Sequence, residues 1–186
     1  MQADPSPVST IFPREVYLNG AFVASEQARV SAFDRGFIFG DGVYEVIPVY
    51  GGRPFRLRQH LQRLDNSLAA IGMANPLGAA DWEPIFARLI AGGGDQAIYL
   101  QITRGVAPRD HAFPADVAPT VFAYSQPLQY PEPGLLRAGV AAVSVQDIRW
   151  ARCDIKAIAL LANVLMRQQA LARGAYEAIL VRDGYV

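Results

Sequence analysis

The sequence predicts an α+β fold. Three observations carry this. Runs of β-branched and aromatic residues are joined by glycine-containing turns. Two segments with helical spacing of leucine and other apolar residues are inserted among those runs. A proline-rich stretch then divides a longer front part from a shorter rear part.

Taken in order, residues 1–14 are polar and rich in proline, lack the apolar core of a signal peptide, and are expected to form a flexible N-terminus. Glu15 to Leu18, Asn19-Gly20 and Ala21 to Val23 have the pattern of a β-hairpin with a two-residue turn. Residues 43–50 form a strand-like run, and Gly51-Gly52 turns it into a second run over 53–57. A helix follows from about Arg58. Leu57, Leu61, Leu64, Leu68 and Ile71 fall on one face, and Gly72 stops it. A second helix is expected over 81–91, with Asp81 as N-cap and the glycines at 92–94 as terminator. Ile98, Leu100 and Ile102 alternate with Tyr99, Gln101 and Thr103, which marks a strand, and 119–125 reads as another. Residues 15–125 thus make an N-terminal α+β domain.

Pro127, Pro131 and Pro133 mark 126–134 as an exposed linker. Residues 135–186 then begin a second domain, with a strand over 139–145, a loop or short strand over 147–156, a helix over 160–173 closed by Gly174, and a strand over 177–182. Asp183-Gly184 is a hairpin turn signal followed only by Tyr185 and Val186. A strand left without its partner is a liability, so the chain reads as the front portion of a longer protein. The alternative is a short chain whose last strand pairs with another subunit.

Of the 186 residues, 52% are hydrophobic and 18% charged, with 17 basic and 17 acidic side chains. That balance gives no electrostatic footprint for nucleic acid or an anionic membrane. No apolar run is long enough to span a bilayer. No metal site is expected. The single cysteine, Cys153, has no internal partner, which points to a reducing, cytoplasmic setting, and Cys153 is expected to be a small buried hydrophobe rather than a nucleophile.

Sixteen of the 17 basic residues are arginine, and Lys156 is the only lysine. A bias toward arginine codons explains why lysine is rare, but not why one survives here. Arginine replaces lysine on a solvated surface. It cannot do so where a primary amine must lose its proton and attack a carbonyl. Lys156 is therefore a candidate Schiff-base lysine, with a chance survivor as the alternative.

Three stretches resemble the branched-chain and D-amino-acid transaminase superfamily, the fold-type IV pyridoxal-phosphate enzymes. They are Asp34-Arg35-Gly36-Phe37-Ile38-Phe39-Gly40-Asp41-Gly42-Val43-Tyr44-Glu45, then Arg53-Pro54-Phe55-Arg56-Leu57 with His60-Leu61 and Arg63-Leu64, then Ile148-Arg149-Trp150 with Arg152-Cys153-Asp154-Ile155-Lys156. The resemblance implies a small N-terminal α/β domain followed by the beginning of a larger second domain. It implies pyridoxal 5'-phosphate as cofactor, Lys156 as the residue that carries it, and Arg63 as a contact to its phosphate. From the residues alone Arg56, Arg58 and Arg63 could not be told apart for that role.

Thr103-Arg104-Gly105-Val106-Ala107-Pro108-Arg109-Asp110-His111 resembles the D-amino-acid form. The resemblance implies that Arg109 and His111 bind the substrate carboxylate together with Tyr44. The chemistry suits them, because arginine offers a planar two-donor fork and histidine a further donor. The bland alternative is an Arg109 surface ion pair beside a histidine on a polar loop. Asp34 and Asp41 are expected to be structural, Phe37 and Trp150 to belong to a core or interface, and Arg149 and Arg152 to stand near enough to Lys156 to lower its pKa.

The function so implied is reversible amino transfer between D-amino acids and 2-oxo acids, of the D-alanine/2-oxoglutarate type, in a homodimer. The family's carboxylate for the pyridine nitrogen and most of its phosphate loops match no residue up to Val186, so the 186-residue chain by itself is expected to hold the cofactor poorly and to turn over little or nothing, while the full-length parent is active. Other readings are a branched-chain or other fold-type IV transaminase, the related aminodeoxychorismate lyase, a cofactor-free Schiff-base lyase, and a non-catalytic fragment.

Overall fold

The structure is a computed structural model that describes residues 12–90 and 93–186. Most of the expected N-terminal segment, 1–11, and residues 91–92 behind the second helix lie outside the described residues. Backbone contacts divide the chain into two units. One runs to Leu128 and includes Ile155–Ile158; the other comprises Gln129–Asp154 and Ala159–Val186.

In the first unit, β1 (Glu15–Leu18) and β2 (Ala21–Ala24) form the expected hairpin. Asn19 (φ 48°) and Gly20 (φ 92°) both take positive φ, the backbone that a two-residue turn between twisted strands requires. The Asn19 side chain also accepts from the Val121 amide at 2.8 Å, which ties the turn to a neighbouring strand. After a short 3-10 turn at Ser25–Gln27 comes a helix that the sequence pattern did not announce, α1 (Arg35–Phe39). It has a cap at each end: Asp34 Oδ1 accepts from the Gly36 amide at 2.8 Å, and Gly40 closes it at φ 68°.

Strands β3 (Gly42–Tyr50) and β4 (Arg53–Pro54) follow, then α2 (Leu57–Ala70) and α3 (Ala79–Leu89), β5 (Gln96–Thr103) and β6 (Thr120–Pro127). The six strands make one antiparallel sheet in the order β2-β1-β6-β5-β3-β4. Several boundaries differ from expectation. β4 stops after two residues, because Arg56 turns to φ 51° to enter α2. Helix α3 starts two residues early. Asp81 is therefore not its N-cap but lies in the first turn, and it accepts from the Gly78 amide at 2.9 Å. β6 continues through Gln126 and Pro127, held by pairing with β5.

Alternation along the strands decides which face is buried. Val43, Ile47 and Val49 of β3 and Ile98, Leu100 and Ile102 of β5 are fully covered. They meet the leucine stripe of α2 (Leu61, Leu64, Leu68) and Trp82, Ile85 and Phe86 of α3 in one core. The opposite face carries an aromatic row: Tyr44, Tyr99, Tyr124 and Phe122 lie in sequence with ring centroids 5.3 to 5.8 Å apart. Burial, followed by the neighbouring Tyr124 and Tyr44 hydroxyls, pushes the Tyr99 phenol up to about 12.

In the second unit, α4 (Pro133–Ala138) begins within the segment expected to be linker. Parallel strands β7 (Ala142–Gln146) and β8 (Glu177–Val181) are joined through α5 (Leu161–Ala172), which buries Met166 and Ala170. The Asp183-Gly184 turn forms, with Arg182 and Tyr185 exchanging both backbone hydrogen bonds at 2.8 and 2.9 Å. Asp147 collects Arg149 and Arg182 at 2.9 and 3.0 Å, and the Arg149 side chain is the leading cause that holds its carboxyl well below the usual range. Among the described residues no helix is long and apolar enough to cross a membrane.

Two substitutions test this packing. Leu64, fully buried at the centre of the α2 stripe, should lose about 2–5 kcal/mol of stability as Leu64→Ala. Gly105 stands at φ 95°, and a Cβ there would lie 2.0 Å from the Ala118 carbonyl oxygen. Gly105→Ala combines backbone strain with overpacking and should cost about 3 kcal/mol. Urea denaturation of each variant reads these values; a loss within about 0.5 kcal/mol, the range of an inert surface change, would refute either placement.

Candidate active site

Strand β3 organises the site. Its far end is covered by β4, but at Gly42–Tyr44 that same edge is free to pair with another segment. Ile155–Ile158 takes the place: the Ile158 amide donates to Gly42 O at 3.1 Å, the Tyr44 amide to Lys156 O at 3.0 Å, and Ala157 bridges to Val43. Ile155 enters the core, and the Lys156 amide donates to Ser67 Oγ of α2 at 3.2 Å. Sheet and helix thus both fix the Lys156 backbone.

The half-buried Lys156 side chain brings Nζ to 4.1 Å from the centroid of the Tyr44 ring. That is within cation–π range. Among the described residues no carboxylate pairs with Nζ. Arg149 and Arg152 are each forked onto a carboxylate two residues away, Asp147 and Asp154.

Arg63 is not a solvated helix arginine. Glu45, the residue after Tyr44, points to the core face and is fully buried. Arg63 donates from Nε and Nη2 to its two oxygens at 2.7 Å each, and His60 Nδ1 lies 2.8 Å from Oε2. This bidentate pair, opposed by desolvation and supported by the charges of Glu45 and Tyr44, raises the Arg63 guanidinium further above its ordinary value. The side chain is half exposed, and Nη1 carries no bond among the described residues. Arg56, by contrast, lies on the Phe55 ring, and Arg58 is exposed. Glu45 is the residue that sequence reasoning passed over. The signal was present: a glutamate at an inward position between Val43 and Ile47 must find a cationic partner.

Arg109 and His111 occupy an exposed loop between β5 and β6. Both gather on Phe39 of α1: the Arg109 guanidinium carbon and the His111 ring each lie 5.4 Å from its centroid. No surface ion pair forms at Arg109 among the described residues. Nor does a direct contact join this pair to Tyr44 or Lys156. Beneath the loop, Asp41 accepts from Arg35 at 2.7 Å and from Arg104 at 2.8 and 3.0 Å. Desolvation opposes ionisation of Asp41, but the two arginines outweigh it and hold its carboxyl below the usual range. Asp34, fully buried, caps α1 and accepts from Thr120 Oγ1 at 2.6 Å.

One expectation is corrected. Cys153 is not buried; it lies exposed on a loop, its Sγ donating to the Trp150 carbonyl at 3.1 Å. Of the two places expected for Phe37 and Trp150, the core is excluded by their exposure of 78% and 50%, which leaves an interface.

Among the described residues the donor set offers a primary amine without an ion-pair partner (Lys156), an oriented guanidinium with a free N–H edge (Arg63), and the aromatic ring of Tyr44 against the amine. These suit an aldehyde that also carries a phosphate. Residues 42–186 match the family described as Amino-transferase class IV. D-alanine aminotransferase of Bacillus licheniformis is 44% identical over 174 residues, 92% of this chain and 61% of that protein. The D-alanine aminotransferase of Staphylococcus haemolyticus is 39% identical over 168 residues, 89% of this chain and 59% of that one. The chain therefore spans about three-fifths of the length of these relatives.

Among solved structures, the branched-chain aminotransferase of Thermoproteus uzoniensis superposes with a TM-score of 0.77 at 25% identity, over 91% of this chain and 60% of that one. A hypothetical aminotransferase from Mycobacterium tuberculosis with α-ketoglutarate and PMP bound superposes with a TM-score of 0.74 at 25% identity, over 90% and 62%. On these matches and this geometry, the chain belongs to the class IV aminotransferase family.

Proposed function

We propose that this chain carries the front half of the active site of a pyridoxal-phosphate-dependent transaminase that interconverts D-amino acids and 2-oxo acids, of the D-alanine/2-oxoglutarate type. The observation that carries the proposal is Lys156: the only lysine in the chain, pinned at its backbone by β3 and α2, with Nζ against the Tyr44 ring and no carboxylate partner among the described residues. The choice of D-amino acids is supported by the names of the relatives 39–44% identical to this chain. The protein is proposed to act as a cytoplasmic homodimer.

Pyridoxal phosphate, when bound, supplies an electron sink for the amino acid's α-carbon. Lys156 would hold the cofactor through its amine, and the same amine, once released, would take up and return the proton of the substrate's α-carbon. An amine free of a salt bridge can do this because nothing must be broken before it acts. Arg63, its fork already oriented by Glu45, presents its remaining N–H edge to the phosphate. Tyr44, whose amide donates to Lys156 O, sets its ring against the amine. Arg109 and His111 supply the donors for the substrate carboxylate.

Two outcomes test this reading. The protein mixed with pyridoxal phosphate should show an absorbance band at about 400–430 nm, characteristic of the lysine adduct, which borohydride fixes covalently to Lys156. Lys156→Ala should abolish both the band and the fixed mass. A covalent adduct in Lys156→Ala would overturn the assignment. Arg63→Gln should raise the dissociation constant for pyridoxal phosphate about ten- to a hundredfold, the worth of a charge-assisted contact, while pyridoxal without the phosphate binds as before. Activity on L-leucine but not D-alanine would replace the D-amino-acid reading with the branched-chain one.

A further inference from the structure

The chemistry proposed above leaves one buried charged cluster without a role. Arg35 and Arg104 are 3% and 7% exposed, and both pair with Asp41. Two guanidinium groups thus share one carboxylate. Buried charges persist only where their remaining donors are also satisfied, and here two backbone carbonyls add acceptors. Arg104 Nη2 donates to Ile71 O at 2.8 Å, and Arg35 Nη1 donates to Asp110 O at 2.6 Å.

The second acceptor is the informative one. Asp110 lies between Arg109 and His111, so a buried fork holds the peptide that separates them. The same loop is held from above by Phe39. Its ring centroid is 4.8 Å from the Arg35 guanidinium carbon, 5.4 Å from that of Arg109 and 5.4 Å from the His111 ring. The loop stem is fixed as well: the Arg35 amide donates to Gly105 O at 2.8 Å, and Asp34 bridges to Val106. The Asp110 carboxylate accepts from the Ala112 amide at 3.1 Å. Helix α1 is too short to stand alone, yet it carries Arg35 at its start and Phe39 at its end, both directed at this loop.

An exposed arginine and histidine on a free loop would lose rotamer freedom each time they gripped a ligand, and binding would weaken accordingly. We propose that Arg35 and Phe39 are positioning residues that hold Arg109 and His111 ready for a substrate carboxylate. This rests on the reading of Arg109 and His111 as carboxylate ligands. Asp41 sets the Arg35 fork, and Arg104 anchors Asp41 to the end of α2 through Ile71.

The test uses Arg35→Lys and Phe39→Leu in the full-length, pyridoxal-phosphate-loaded protein, with Arg109→Lys as reference. A lysine keeps the charge of Arg35 but cannot span Asp41 and Asp110 O as a fork does. The expected result is a KM for D-alanine and for 2-oxoglutarate raised about five- to tenfold, with kcat changed less and the affinity for pyridoxal phosphate within about twofold. Amide hydrogen exchange over 106–112, measured without substrate, should quicken about tenfold in both variants, while that of β3 and β5 is unchanged. Faster exchange with an unaltered KM makes the cluster merely structural and overturns the proposal, as do unaltered exchange and unaltered KM together. If Arg35→Lys does not fold, the half-buried Phe39→Leu decides alone. An unaltered KM in Arg109→Lys removes the carboxylate reading itself and the positioning role with it, an outcome distinct from failure of Arg35→Lys and Phe39→Leu beside a raised KM in Arg109→Lys.

Discussion

A carboxylate with no exposure to water constrains the first unit. Glu45 sits at an inward position of β3, where every other inward residue is aliphatic. An unpaired carboxylate there would be prohibitively expensive, and removing one partner from such a pair costs about 3–5 kcal/mol. Helix α2 must therefore present Arg63 and His60 to the sheet at the same time as Leu61, Leu64 and Leu68. That fixes the rotation of α2 about its axis. The fixed rotation places Ser67 where it accepts from the Lys156 amide. One buried charge thus determines the orientation of an arginine, the register of a helix against a sheet, and the seat of a lysine more than 100 residues away in sequence.

Arginine and lysine are used differently throughout. Arg35, Arg63, Arg104, Arg149 and Arg152 all make forked or multiple bonds to carboxylates or carbonyls, and each is held in one geometry by them. Among the described residues Lys156 makes no such bond; its backbone is restrained while its amine is left on an aromatic face. A fork immobilised at two points suits recognition of a charge, and a flexible amine suits proton movement. The division is visible in a chain that has sixteen of one residue and one of the other.

Much of the first unit was legible because its strands and α2 obey simple periodicities and its turns use Asn19-Gly20 and Gly51-Gly52. Family membership was legible from three short stretches that recur in order. Helix α1 was not, because five residues are too few to show a period, although Asp34 and Gly40 were its caps in plain view. The extent of β6 was hidden by Pro127, which reads as a breaker but tolerates the last position of a strand. Glu45 was passed over because it was read as part of a motif rather than as a charge in a buried register. The grouping of Arg109 and His111 on Phe39 depends on tertiary contact between a loop and a short helix, which no spacing in the sequence encodes.

The place of Ile155–Ile158 on the edge of β3 has a consequence for assembly. All six strands of the sheet and both long helices of the first unit are complete once Leu128 has been made, so the core, apart from Ile155 and Ala157, can close early from contacts among residues already present. The segment bearing Lys156 arrives only after Gln129–Asp154 has been synthesised. It docks as a late edge addition onto a finished scaffold. The amine is thus delivered into a site whose arginine, tyrosine and serine are already in place, and on the ribosome the unit would pass through a stage that is folded but chemically incompetent.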